Sequence, residues 1–165
     1  MKIFTLLITL LYITTASGQN SLEDLLKKYN THSIPYISVS ELQKIKDTVL
    51  ILDAREKKEY QISHLQDAIH VGYIDFKIDS VLKQNIPKDS TIVVYCSLGI
   101  RSEDVSEKLK KAGYTKVYNL YGGIFEWKNQ NYSVINPKNE VTEEVHTYSK
   151  EWSIWLRKGI KIYTN

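Results

Sequence analysis

The sequence holds a single cysteine, Cys96, among 165 residues. No intramolecular disulfide can form, and no zinc site can be built from cysteine ligands. Arginine is scarce too: only Arg55, Arg101 and Arg157 occur, against 19 lysines. Neither sign of charge dominates. Lys+Arg number 22 and Asp+Glu 19, and the formal net charge of +3 is too small and too scattered to mark a nucleic-acid partner. No apolar run reaches the ~20 residues of a spanning helix. Internal repeats and low-complexity tracts are absent. What remains is an ordinary globular balance, 42% hydrophobic and 25% charged. It excludes a disordered, collagen-like or polytopic membrane protein, and the length suits one domain with a small extra element.

Residues 1–18 read as a cleaved secretory signal. Lys2 precedes the apolar run from Ile3 to Ile13. A small, polar stretch follows, in which Ala16 and Gly18 fit the −3 and −1 positions of a cleavage site. The threonines and the lack of a polar face oppose a buried N-terminal helix. The expectation is a secreted or periplasmic protein with no membrane span after cleavage. A lone cysteine in such a compartment is either an inert buried thiol or a working one.

Beyond the signal, strands and helices alternate. Ser21 to Tyr29 is an amphipathic helix, and Tyr36-Ile37 a short strand. Ser38-x-x-Glu41 is a capping box opening a helix to about Lys46. Val49 to Asp53 is a continuous apolar run suited to a buried parallel strand. A short helix over Glu56 to Tyr60, a strand over Ala68 to Val71 and a helix over Ile74 to Gln84 come next. Thr91 to Tyr95 is the strongest strand and Arg101 to Ala112 the best helix, ended by Gly113. Lys116 to Leu120 is a strand, and Gly122-Gly123 turns into a helix through Trp127. Asn131 to Glu144 reads as a polar linker, and Ser149 to Lys158 as a last helix ended by Gly159. This order predicts an α/β fold with a central parallel sheet and right-handed crossovers.

Ligands of such sheets bind beyond the carboxyl ends of the strands. Two groups of residues fall there. Asp53 and Arg55 follow one strand. Cys96-Ser97-Leu98-Gly99-Ile100-Arg101 follows the strongest strand and leads into the best helix. A helix N-terminus offers partial positive charge and free N–H groups, and a thiolate held there has a lowered pKa and acts as a nucleophile. Gly99 permits the positive φ of a tight loop, and Arg101 can hold an oxyanion or brace the loop. Taken alone, a lone cysteine such as Cys96 reads first as a small buried hydrophobe; its place before this loop and helix turns the reading to chemistry. Asp53, Arg55 and His64 read as structural. His32, His70 and His146 have no metal spacing, so neither metal nor cofactor is assigned.

These pieces resemble a single rhodanese domain over residues 36–132. The resemblance is carried by Leu52-Asp53-Ala54-Arg55-Glu56 with Glu59-Tyr60, by His64-Leu65 with Ala68-Ile69, and by Val93 to Ser102 around Cys96. Gly113-Tyr114 through Val117, then Leu120 to Ile124 and Trp127, complete it. It implies a five-stranded parallel sheet flanked by helices. It also implies sulfur transfer: the Cys96 thiolate takes the sulfane sulfur of a donor such as thiosulfate, releases sulfite, and passes the sulfur to cyanide or a thiol. Ser97, Leu98, Gly99, Ile100 and Arg101 would cradle the persulfide, with Arg101 against the anionic donor. The chain departs from the family at Ser63, where a glycine is usual, and at Gln66-Asp67, where Pro-Gly is usual. Leu98 and Ile100 make the loop less cationic than loops suited to thiosulfate.

Residues 19–35 then form an N-terminal helical segment, and 133–165 a linker with an amphipathic C-terminal helix. Trp152, Trp155 and Leu156 make one stripe of that helix, which packs on the domain or, alternatively, docks a protein partner or covers a pocket. Three other activities compete. A non-enzymatic sulfane-sulfur carrier would still use Cys96. A phosphatase or arsenate reductase of the related type has five residues between Cys and Arg, where this chain has the four from Ser97 to Ile100. A thiol–disulfide oxidoreductase would lack a resolving cysteine.

Overall fold

The computed structural model describes residues 21–163. The signal expected over residues 1–18 lies outside them. The first helix, α1 (Leu22–Tyr29), is opened by Ser21, whose hydroxyl accepts the Asp24 N–H while Asp24 answers to the Ser21 amide. Strand β1 (Tyr36–Ile37) leads to α2 (Val39–Ile45), capped in the same reciprocal way by Ser38 and Glu41. There follow β2 (Leu50–Asp53), α3 (Lys57–Tyr60), β3 (Ile69–His70), α4 (Ile78–Leu82) and β4 (Thr91–Tyr95). Then come α5 (Arg101–Lys111), β5 (Lys116–Leu120) and α6 (Gly123–Asn129). Among the described residues no helix is long and apolar enough to cross a membrane.

The five strands form one parallel sheet in the order β1-β5-β4-β2-β3. Strand β4 is central, which explains its unbroken apolar run: both of its faces are covered. Val93 and Tyr95 point into one core with Ile51, Leu120 and Phe125. Ile92 and Val94 point into the other with Leu52, Val105 and Leu109. The Cys96 loop leaves the carboxyl end of this central strand, between two packed cores.

Three parts of the sequence reading are corrected. The helix expected over Ile74 to Gln84 shrinks to α4; Ile74 is exposed and its amide is held by Glu56 Oε1, outside any helical ladder. The linker expected over Asn131 to Glu144 contains a hairpin, β6 (Val134–Ile135) against β7 (Val141–Thr142). Val134 and Ile135 are buried, Ile135 bridges His64, and the Asn136 side chain accepts the amides of Lys138 and Glu140 to close the turn. The C-terminal helix expected over Ser149 to Lys158 is only a 3-10 turn, Trp152–Trp155. Asn129 explains its shortness. The side chain donates to the Trp155 carbonyl and accepts the amides of Arg157 and Lys158, so the backbone groups that would extend a helix are taken.

The chain then pairs β9 (Ile160–Ile162) with β8 (Glu144–His146). Leu156 of the expected stripe is fully buried in the core that holds Val93, while Trp152 and Trp155 pack against it and stay only partly buried.

Candidate active site

Cys96 directly follows β4 and is only 2% exposed. Its Sγ accepts the Gly99 N–H at 3.1 Å. Gly99 sits at φ +108°, and a Cβ there would press on the Leu120 carbonyl, so the turn needs glycine. Two amides fix the far side of this residue: Asn30 and Asn119 both donate to the Gly99 carbonyl, at 2.8 and 2.7 Å. Gly123, at φ +53°, lets α6 come up under the loop; its missing Cβ leaves room for the Cys96 carbonyl, which accepts the Ile124 amide. The loop is thus gripped from α1, β5 and α6 together.

The Ser102 hydroxyl lies 3.5 Å from Sγ and 2.7 Å from Asn119 Oδ1. It has one proton, and the shorter contact takes it most of the time. Backbone amides, of Gly99 and Ser102, are therefore the constant donors to sulfur. Burial alone would raise the Cys96 thiol. The charge of Arg101 and hydrogen bonds from Ser102 and Gly99 outweigh it and bring the thiol below its ordinary value.

Arg101 is tightly engaged. Its Nη1 donates to Glu59 Oε2 at 2.6 Å, and its Nη2 to Glu59 Oε1 at 2.8 Å and Ser97 Oγ at 3.0 Å. Glu59 is wholly buried, and its carboxyl also accepts the Glu56 amide and the Ser97 hydroxyl. Burial would raise Glu59, but the hydrogen bonds and charge of Arg101, with Arg55 behind, hold it down at about 2. Of the two roles open to Arg101, this geometry is bracing. Its side chain also lines a hollow beside Cys96.

Asp53 and Arg55 form a separate pair at the end of β2, with neither side chain exposed. Asp53 accepts Nε and Nη2 of Arg55, the Arg55 amide and the Tyr95 hydroxyl. Arg55 Nη2 also donates to the Ser63 carbonyl. His64 stacks on Tyr60, and its Nδ1 lies 3.1 Å from the Tyr60 carbonyl. Both departures from the family pattern have a local answer. Asp67 takes the left-handed conformation that glycine would, at φ +60°, a region short polar residues tolerate. The Ser63 hydroxyl donates to the Glu144 carbonyl and ties down the C-terminal segment.

Cys96, Ser97, Leu98, Ile100 and Arg101 line one hollow of about 270 Å³. Its other walls are Tyr29, Tyr148 and Trp152. A larger hollow of about 600 Å³ lies beyond Leu98, without Cys96 among its walls. Among the described residues no three of His, Cys, Asp and Glu gather as a metal site. Sequence reasoning missed Glu59, Ser102, Asn119, Tyr29 and Tyr148 as parts of this site; Trp152 stood in the stripe for which pocket covering was one alternative, and it does line the hollow at Cys96. Glu59 stood inside the resemblance, beside Tyr60, but nothing local marks it as the partner of an arginine 42 positions away. The two tyrosines carry no local signal.

Comparison with known proteins agrees with this arrangement. Residues 38–130 match the rhodanese-like domain family. The chain is 40% identical over 107 residues to tRNA uridine(34) hydroxylase of Onion yellows phytoplasma (strain OY-M), a match taking in 63% of this chain and 34% of that protein. It thus spans about a third of such a relative. It is 32% identical over 95 residues to thiosulfate sulfurtransferase GlpE of Coxiella burnetii (strain RSA 331 / Henzerling II), over 58% of this chain and 85% of that one. Its fold matches thiosulfate sulfurtransferase from Pseudomonas aeruginosa with a TM-score of 0.58 at 21% identity, over 74% of this chain and 23% of that chain. The match to BH2092 protein from Bacillus halodurans has a TM-score of 0.56 at 19% identity, over 70% and 87%. With its five-stranded parallel sheet, its Cys96 loop and a match over more than half its length, the chain belongs to the rhodanese-like domain family.

Proposed function

We propose that the protein is a sulfurtransferase that carries sulfane sulfur as a persulfide on Cys96. One observation carries the reading: the lone cysteine is held by the Gly99 amide at the N-terminus of α5, with its thiol lowered by the Arg101 charge and its sulfur at the wall of an open hollow. The Cys96 thiolate attacks the outer sulfur of a donor, the donor's S–S bond breaks, and its electron pair leaves with the carrier. A thiophilic acceptor, cyanide or a thiol, then removes that sulfur and regenerates the thiolate. This is two-step covalent catalysis with ping-pong kinetics. The lowered thiol supplies more of the thiolate that this step uses. The hydroxylase activity named for one relative is not carried over, since the chain spans only a third of that protein.

Intact mass tests the reading. Incubation with a sulfane donor adds one sulfur atom to the protein, cyanide removes it as thiocyanate, and Cys96→Ser shows no addition. A reduced, free thiol that takes up no sulfur from any sulfane donor overturns the proposal. We further propose that the chain acts outside the cytoplasm, on the strength of residues 1–18. Mature protein recovered from the periplasm or medium should begin at Gln19; recovery of the uncleaved chain from the cytoplasm alone would oppose it.

A further inference from the structure

Three of the eight residues that line the hollow at Cys96 come from outside the family-matched segment. Tyr29 ends α1, and Tyr148 and Trp152 belong to the C-terminal segment; all three fall outside residues 38–130. The Tyr29 and Trp152 rings meet edge to face, 5.9 Å between centroids at 64°. The two ends of the described chain therefore close on each other at the thiol. Tyr148 adopts a left-handed backbone at φ +65°, which a bulky side chain avoids. Its amide donates to His146 Nδ1 at 3.0 Å, and its ring lies 5.0 Å from the Arg101 guanidinium. Surrounding contacts hold this strained tyrosine at the site.

Charge and shape agree. Among the described residues Arg101 is the only cation lining the hollow, and Glu59 grips both of its terminal nitrogens. A small dianion such as thiosulfate therefore finds no unpaired cation among these walls. Leu98, Ile100 and three aromatic side chains instead supply apolar walls, and about 270 Å³ leaves room for a ring.

Building on the sulfurtransferase reading, we infer that the donor is an organic sulfane-sulfur compound whose carrier group is apolar and of ring size, seated among Tyr29, Tyr148 and Trp152. For an organic thiosulfonate the step balances directly. The Cys96 thiolate bonds to the terminal sulfur, the bond from that sulfur to the sulfonyl sulfur breaks, and its electron pair leaves on the sulfinate. The products are the Cys96 persulfide anion and the sulfinate anion, with no outside oxidant or reductant.

The test uses the full chain and three probes: benzenethiosulfonate, methanethiosulfonate and thiosulfate. The first two carry the same charge and differ only in the carrier group. Loading of Cys96 is followed by intact mass, and each rate is divided by that donor's rate with a free small thiol, which removes intrinsic reactivity. The normalised rate should favour the phenyl over the methyl donor by roughly tenfold or more, from burial of the ring, with thiosulfate slowest. In Tyr29→Ala and Trp152→Ala the phenyl-to-methyl ratio should fall toward one. Should either variant fail to fold, the donor series on the unaltered chain still decides. Equal normalised rates, or thiosulfate fastest, overturn this inference and leave the sulfurtransferase reading standing. No loading by any of the three on a free, reduced thiol overturns both.

Discussion

Two arginine–carboxylate pairs stand near the carboxyl end of the sheet, and they differ in what surrounds them. Asp53–Arg55 is sealed, with neither side chain exposed. Its neighbours are the Tyr95 hydroxyl, the Ser63 carbonyl and the Tyr95 ring, 5.6 Å from the guanidinium; among the described residues Arg55 Nη1 has no hydrogen-bond partner. Glu59–Arg101 is open at one end, where Arg101 is 15% exposed and meets Tyr148. Only the second pair adjoins the thiol and lowers it. The same two functional groups thus serve as an architectural tie when enclosed and as a tuning charge when one end faces the site. The pairs also communicate, since the Arg55 charge helps hold Glu59 ionised.

The largest effect should come from breaking the sealed pair. Arg55→Met leaves Asp53 buried with its charge uncompensated, a loss of about 3–5 kcal/mol. Urea unfolding should show it. The pH profile of Cys96 alkylation in the surviving folded protein should move less than it does for an Arg101 substitution. An equal or larger movement would break the distinction between the pairs.

Arg101→Gln comes next and should damage two things at once. Glu59 loses its partner and stability falls by about 3 kcal/mol at neutral pH. That loss shrinks in acid, where Glu59 can take up a proton. The thiol also loses the charge that lowers it, so alkylation of Cys96 should require higher pH. The double variant Glu59→Gln/Arg101→Gln removes the stranded charge. Its melting temperature should recover while its alkylation profile stays displaced. Recovery of both would mean that Arg101 acts on the thiol only through loop geometry.

The legible parts of the molecule are those written in local pattern. The apolar run of β4, the glycine-bearing loop and the helix behind it are contiguous, so the order of elements and the place of Cys96 could be read directly. The C-terminal segment was misread because Trp152, Trp155 and Leu156 have helical spacing, yet what ends the helix is an Asn129 side chain from far upstream. Glu59 was passed over for the same reason: its partner is remote, and a glutamate in a charged four-residue helix looks solvated until the fold buries it. Ser63 looked like a lost glycine. It is the donor that holds the segment carrying Tyr148 and Trp152 in place. Long-range contacts decide such residues, and no window along the chain contains them.

Acid titration isolates the open pair further. Glu59 is held at about 2, against an ordinary 4.5. A carboxyl lowered on folding stabilises the native state above its ordinary value, and that contribution is lost as pH falls from 4.5 through about 2. The shift corresponds to an effect on the order of 3 kcal/mol. Unfolding at pH 7, 4 and 2.5 should show wild type losing this increment and Glu59→Gln/Arg101→Gln not losing it.

The smallest expected effect concerns Ser102, which stands between the thiol and Asn119. With one proton and two acceptors, its hydroxyl serves the nearer Asn119 Oδ1. Ser102→Ala therefore leaves that buried oxygen without its donor, at a cost of about 1 kcal/mol. Asn119 still donates to the Gly99 carbonyl, so the loop keeps its shape and the Gly99 amide stays on sulfur. The Cys96 alkylation profile should move up, but less than in Arg101→Gln. A displacement as large as that of Arg101→Gln would place the Ser102 proton on sulfur, and a hydroxyl would then share with Arg101 the task of holding the thiolate.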